Sequence, residues 1–361
     1  MLIDHCDKIP SMKNRASIVQ DLVRSYNLLS QNNIIVVKPT IASDTELKSF
    51  HSSDYIDLLK SINSYDPNLD EIGEKHLEYG LGYDNEPVEN IYDFVSYIAG
   101  CTLYGAKLLA SRKCNTVINW FGGWHHAQRD HASGFCYIND IVIGIQFMAR
   151  FFRKILYVDL DIHHGDGVQN AFEYSNNILT LSFHKYSYGF FPNTGNVDEV
   201  GCSKGKFYSI NVPLKDGVCD KTYVNIFKEL FPIIVQNFKP DVFVVQCGAD
   251  GLNGDTLGQC NLTLKGIGEC VNQILECHKP IMLLGGGGYN FANTARLWTY
   301  LTSLVTKISI SNDIPDTCEY FMEYTPSYEL HIEQGKMKDC NTIEYVTNTV
   351  QKIKTHCANI S

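Results

Sequence analysis

Nine residues, DLDIHHGDG (Asp159–Gly167), hold three carboxylates and two imidazoles directly after the apolar run ILYV. Alternate side chains of an extended chain share a face, so Asp159, Asp161 and His163 point one way and Leu160, Ile162 and His164 the other. Two oxygen donors and one imidazole nitrogen then converge at a strand end, as a divalent metal requires. The competing reading is a solvated turn with capping aspartates. A second apolar run ends in VVQCGADG, where Asp250 taken alone starts a loop or caps a helix. Beside Asp161 and His163 it completes three protein ligands and leaves a coordination position open, as catalytic rather than structural zinc sites do. Ferrous iron and cobalt also accept this donor set.

Two further runs end in groups suited to the same chemistry. NWFGGWHHA carries His125 and His126 past two glycines. Next to a metal they are candidates for general base and acid, with Asp159 and Asp166 as their orienting carboxylates; the alternative is a pair of hydrogen-bonded core histidines. IMLLGGGGYN lacks both the GxGxxG spacing and the Lys-Ser/Thr of a phosphate loop. Its four glycines instead let the backbone approach a ligand and carry Tyr289 into the crevice, where a phenol can donate to a developing oxyanion. SGFCY (with Gly134 and Phe135) and YGFFP (with Phe191) are candidate channel walls, and Asp84 in GYD, just before an expected helix, reads as an N-cap.

These groups need a scaffold that brings strand ends together. Apolar runs of strand length recur at Asn33–Val37, Thr116–Phe121, Ile155–Leu160, Ile178–Phe183, Phe207–Val212, Asp241–Gln246 and Ile281–Leu284, several without alternation, as in strands buried on both faces. Helical spacing lies between them: Ile18 to Tyr26, Ile91 to Leu109, Ile138 to Phe147, Tyr223 to Val235, Ile267 to Leu275 and Ala295 to Leu304, with a terminal helix from Ile343 to Ile353. The alternation predicts an α/β fold with a mostly parallel sheet, helices on both faces and a ligand crevice outside the strands' carboxyl ends. Loops are expected over Asp66–Glu78 and Lys185–Lys206.

The 361 residues suffice for a large core. A formal charge of −10, from 30 Lys and Arg against 40 Asp and Glu, argues against a duplex-binding surface, so no direct nucleic-acid binding is expected. Thirteen cysteines without a CxxC pair indicate neither a disulfide framework nor a zinc ribbon, and reduced thiols imply cytosol or nucleus. No apolar stretch suggests a signal peptide or a membrane span.

In order and at matching spacing, GGWHHA, ASGFCYIND, DLDIHHGDG, SFHKY with GFFPNTG, QCGADG and LGGGGY resemble the class I histone deacetylases, from about Lys8 to the C-terminus. EYGLGYD, GGGGYNFANTARLWTYLT and SNDIPD are most similar to the histone deacetylase 8 subtype. The resemblance implies a single catalytic domain over residues 1–361, of three-layer arginase/deacetylase-like architecture with long active-site loops. It implies a catalytic zinc on Asp161, His163 and Asp250, a histidine pair in which His125 bonds Asp159 and His126 bonds Asp166, and Tyr289 as oxyanion donor. It also implies structural potassium, at Asp159, Asp161, His163, Ser182 and Phe183 and at Phe172, Ser175, Ile178 and Tyr208.

The implied reaction is hydrolysis of acetyl-lysine in histone and non-histone proteins. Gly134, Phe135, Phe191 and Leu257 would line a tunnel, with Asp84 on the substrate backbone at its rim. The enzyme is expected in nucleus and cytoplasm, without a large corepressor complex. Arg15 matches a family arginine behind the active site, whereas Leu257 replaces the subtype's methionine and His131 the usual glutamate. The family has a strand upstream of the KIP segment, where this chain starts, so an unpaired sheet edge is expected. Rival functions on the same residues are a deacylase for longer acyl chains or acetylated small amines, an inactive acetyl-lysine-binding module, and an arginase-like two-metal hydrolase.

Overall fold

The computed structural model describes residues 2–66 and 71–360. Its centre is a six-stranded sheet of β1 (Thr116–Asn119), β2 (Ile155–Asp159), β3 (Ile178–Lys185), β4 (Ser209–Leu214), β5 (Val242–Gln246) and β6 (Ile281–Leu284). Spatial order is β1-β6-β5-β2-β3-β4, and every pairing is parallel. From β2 the chain winds outward through β3 and β4, then returns to the other side of β2 for β5 and β6. The reversal between β2 and β5 is a topological switch point, where the carboxyl ends diverge and a crevice opens.

Period-two alternation divides the core into two layers. Leu156, Val158, Leu181, Phe243, Val245 and Leu283 enter one cluster, with helices Asp220–Phe238, Leu264–Leu275 and Phe291–Thr306. Ile155, Tyr157, Val242, Val244, Met282 and Leu284 enter the other, against helices Ile91–Ala110 and Asp140–Met148. The expected three-layer α/β architecture is therefore present. Proline at 232 does not break its helix, and six of the seven expected strands form within a few residues of their runs.

The exception is Asn33–Val37, which forms no strand: Ile35 is 85% exposed and Val36 65%. β-Branched residues favour a strand only where a neighbouring edge offers pairing and burial. Here the segment runs over the surface until Thr40 Oγ1 donates to Gly100 O at 2.7 Å and Ala42 N to Ser96 O at 2.9 Å. β1 is an outermost strand, paired only with β6 among the described residues. Of the loop expected over Asp66–Glu78, residues 67–70 lie outside the described residues and Glu74–Glu78 forms a short helix. The last helix, Ile343–Cys357, buries Val350 and Ile353, while Ile343 at its start is exposed.

Leu181→Ala should lower unfolding free energy by about 2–5 kcal/mol, because the fully buried side chain leaves a cavity in the sheet's core. Ile343→Ala should change it by less than about 0.5 kcal/mol. Urea unfolding followed by circular dichroism compares them, and equal effects would contradict this assignment of the core.

Candidate active site

The carboxyl ends of the two strands flanking the switch point supply the metal-type donors. Beyond Asp159 the chain leaves β2 but keeps its alternation: Leu160 and Ile162 enter the core, while Asp161 and His163 turn to meet Asp250 from the turn after β5. One ligand atom from each of Asp161, His163 and Asp250 lies within 4.8 Å of the others, and all three residues are buried. His163 Nδ1 stands 2.9 Å from Asp250 Oδ2 and 3.3 Å from Asp161 Oδ1. Asp161 Oδ2 accepts from Gln246 Nε2 and from Gly287 N, each at 2.8 Å, and Asp250 Oδ1 accepts from Ile162 N at 3.0 Å.

The donor set fits a divalent cation. Burial and the adjacent Asp161 charge push the Asp250 carboxyl above its ordinary range, and a cation between the two carboxylates removes that repulsion. A side chain at Gly287 would collide with Asp250, and one at Gly248 with Asp161, so both backbone approaches demand glycine. Among the described residues this is the one cluster of its kind, which leaves the two-metal alternative without a second ligand set.

β1 delivers the histidine pair. After its Asn119, Asp140 accepts the Gly123 and Trp124 N–H groups and the Thr102 hydroxyl, while Asn139 Nδ2 donates to Ala127 O at 2.9 Å. The backbone on both sides of the pair is thereby fixed. His125 Nδ1 lies 2.8 Å from Asp159 Oδ2 and His126 Nδ1 2.7 Å from Asp166 Oδ1, with ring centroids 3.9 Å apart. These bonds assign Nδ1–H as donor in both rings and leave each Nε2 for the pocket.

Their electrostatics diverge. For His125, burial disfavours the cation, but Asp159 and then Asp161 outweigh it and raise the pKa to about 9. For His126, burial and the His125 charge prevail over Asp166 and lower it to about 4. One ring is cationic and its neighbour neutral at ordinary pH, a division of acid and base roles.

Tyr289 follows the glycine run after β6. Asp255 Oδ2 accepts its N–H at 2.7 Å and that of Asn290 at 3.2 Å. Burial, then Asp250 and Asp161, hold the phenol well above its ordinary pKa, so it remains a hydrogen donor. Its ring stands 5.6 Å from Phe135, and Phe191 meets His126 edge-on at 4.8 Å. Gly134, at φ +52°, has no room for a side chain between the His126 and Phe191 rings. Behind this group a cavity of about 30 Å³, with space for a water or two, reaches Arg15. Arg15 NH1 donates to Gly286 O and Gly288 O at 3.0 and 3.1 Å.

Asp84 is exposed and caps no helix, since the next one begins at Ile91 behind Asn90. The adjacent Asn85 is buried and accepts the Phe135 N–H at 3.2 Å, tying that loop to the segment that carries Phe135. Leu257 is 40% exposed, and its N–H binds Asp255, the residue that holds Tyr289. β2 and β3 pair Asp159 with Ser182, two of the five residues of the first expected monovalent-ion group. Of the second group, Ser175 N donates to Phe172 O, and Tyr208 O accepts from Thr180 N two residues beyond Ile178. His131 pairs with Asp130 at the surface, and nothing in the structure explains its replacement of glutamate.

Sequence reasoning missed several supports. The Tyr157 hydroxyl donates to Asp159 Oδ2 at 2.6 Å, and Gln246, Asn139, Asp140 and Asp255 hold site groups as described. Lys185 lies 4.4 Å over the Phe190 ring, which stacks on His163 at 4.9 Å. The available signal was a polar residue inside an otherwise apolar run, as at Tyr157 and Gln246.

The histone deacetylase domain family matches residues 9–305. The chain belongs to the histone deacetylase family. It is 43% identical over 359 residues to histone deacetylase 8 of Xenopus tropicalis, covering 99% of this chain and 96% of that one. Against histone deacetylase 8 of Danio rerio the identity is 42% over 358 residues, covering 99% and 93%, and against that of Xenopus laevis 45% over 319 residues, covering 88% and 97%. This histone deacetylase is thus a hydrolase acting on acetyl-lysine, similar to the type 8 enzymes, and its family implies a catalytic metal.

Removing one of three ligands should empty the metal site of this histone deacetylase. Asp250→Ala, purified beside the unaltered chain and assayed by elemental analysis, should drop from about one divalent ion per chain to nearly none. Full retention by the variant would exclude Asp250 as a ligand.

Proposed function

We propose that the chain hydrolyses N6-acetyl-lysine in histones and other proteins, as one catalytic domain over residues 1–361, with zinc on Asp161, His163 and Asp250. The observation that supports this best is the meeting of His125 and His126, each on its own carboxylate, with Tyr289 and the three-donor cluster beside the Phe135 and Phe191 rings. Acetyl-lysine presents a long apolar stem ending in a neutral amide. Gly134, Phe135, Phe191 and Leu257 line the stem, and Asp84 accepts hydrogen bonds from the substrate backbone at the rim.

When bound, zinc supplies Lewis acidity toward the acetyl carbonyl and the attacking water. His126 Nε2, kept neutral by burial and the neighbouring cation, takes a proton from that water as its oxygen adds to the carbonyl carbon. The Tyr289 hydroxyl donates to the carbonyl oxygen as it gains charge, and the His125 cation, anchored by Asp159, stabilises the same charge. Collapse breaks the carbon–nitrogen bond, the proton on His126 passes to the departing amine, and lysine and acetate leave.

Structural potassium is assigned to Asp159, Asp161, His163, Ser182 and Phe183, and to Phe172, Ser175, Ile178 and Tyr208, largely through backbone oxygens. A positive ion beside Asp159 and Asp161 would offset part of the charge buried there. The enzyme is assigned to nucleus and cytoplasm, acting without a large corepressor assembly. No helix among the described residues is long and apolar enough to cross a membrane.

Tyr289→Phe should lower kcat on an acetyl-lysine peptide on the order of a hundredfold or more, with KM changed little, because the donor acts mainly in the transition state. Asp84→Ala should instead raise KM. Acetate release under saturating and limiting peptide separates the two, and full activity in Tyr289→Phe would remove the oxyanion role.

A further inference from the structure

Because all six strands are parallel, the loops that lead into them gather at the pole opposite the metal-type cluster. Four of these loops precede strands that are neighbours in the sheet, β1, β6, β5 and β2. They carry Arg112 and Lys113, Lys279, Lys239, and Arg150 and Arg153, all exposed. Elsewhere Lys48, Lys60, Lys107, Lys228, Lys352 and Lys354 each pair with a carboxylate. Among the described residues none of the six pole cations forms an ion pair.

The same loops hold only two carboxylates, Asp241 and Glu276. Asp241 is turned to the backbone, accepting the N–H groups of Arg153 and Lys154 at 3.0 Å. The net charge of −10 is thus an average that conceals a positive pole, and the expectation of no nucleic-acid contact drawn from that average does not apply to this face. Phe151, 57% exposed, lies among these cations with the Arg150 guanidinium 5.9 Å from its ring.

We propose that this pole binds the phosphate backbone of a nucleic acid without sequence preference, with Phe151 as a stacking surface for an unpaired base. Strands lie about 4.8 Å apart, so the four loops form a row roughly 15 Å long. In a helically stacked strand the phosphates recur about every 3.4 Å of helix axis, so about four match the row when that axis runs along it. A ribbon of unpaired cations with one exposed aromatic suits such a polymer. An anionic membrane would call for several apolar anchors, and among the described residues these four loops expose one large apolar side chain, Phe151. The inference rests on sheet topology and charge, independently of the deacetylation reading.

Fluorescence anisotropy of the full-length chain with labelled RNA of about 20 nucleotides, and with duplex DNA of about the same length, tests it. Binding is expected at about 50 mM salt and should weaken at least about tenfold by 200 mM, since about four counterions are released. The quadruple variant Arg112→Glu, Lys113→Glu, Arg150→Glu, Arg153→Glu should bind at least about tenfold more weakly than the unaltered chain. The variant Lys48→Glu, Lys60→Glu, Lys352→Glu, Lys354→Glu, with the same charge change elsewhere, should stay within about threefold. The pole variant should keep its urea-unfolding midpoint, and both variants should keep their activity on a short acetylated peptide.

Tighter binding of RNA, reduced by Phe151→Ser, supports stacking as well as phosphate contact; equal binding of duplex overturns the stacking part alone. Absence of binding at low salt, equal losses in both quadruple variants, or equally tight capture by polyglutamate or by phosphatidylserine vesicles would overturn the nucleic-acid assignment. Loss of peptide deacetylation by the unaltered chain would instead count against the proposed function.

Discussion

Carboxylates sealed from water are the constraint around which this active site is built. Asp159, Asp161 and Asp250 have no exposed surface, and a buried anion is tolerated only when it is paired and hydrogen-bonded. Each oxygen therefore recruits donors from a different part of the chain: a tyrosine within the same strand, histidines from β1 and the turn after β2, a glutamine ending β5, and a glycine amide after β6. The satisfaction of these charges draws four strand ends toward one point. The same negative field holds one histidine cationic and keeps the tyrosine protonated, so stability and chemistry share a cause.

Topology determines which strand ends can meet. β2 and β5 flank the reversal in winding, and they contribute every member of the three-donor cluster. β1 and β6 lie on one side of them and bring in the histidines and Tyr289, while β3 pairs Ser182 with Asp159 from the other. The glycines at 134, 248 and 287 stand where backbone must pass against an imidazole or carboxylate. They act by leaving space.

Much of this was legible in the residues because strand ends in a parallel sheet are where function gathers, and DLDIHHGDG, GGWHHA, QCGADG and GGGGYN all follow apolar runs. Two kinds of feature escaped. Supports such as Asp140 and Asn139 sit in a helix start, where local pattern reads only a cap, and their backbone partners 12–17 residues away emerge only after folding. Asn33–Val37 has strand composition but no ladder, since pairing depends on an available edge rather than on propensity. Net charge is blind in a similar way, because a sum over 361 residues has no direction, whereas a parallel sheet sorts its loops between two poles.

The bare Ile35–Val37 stretch has a consequence for handling the protein. A β-branched segment outside any ladder offers other molecules the template from which intermolecular cross-β stacks grow. Lys38 and Pro39 follow it immediately, a charge and a residue without an amide hydrogen, and together they act as gatekeepers that interrupt such growth. Concentrated solutions would owe part of their clarity to that dipeptide, which makes it a poor place for mutation and the stretch beside it a natural target for improving solubility.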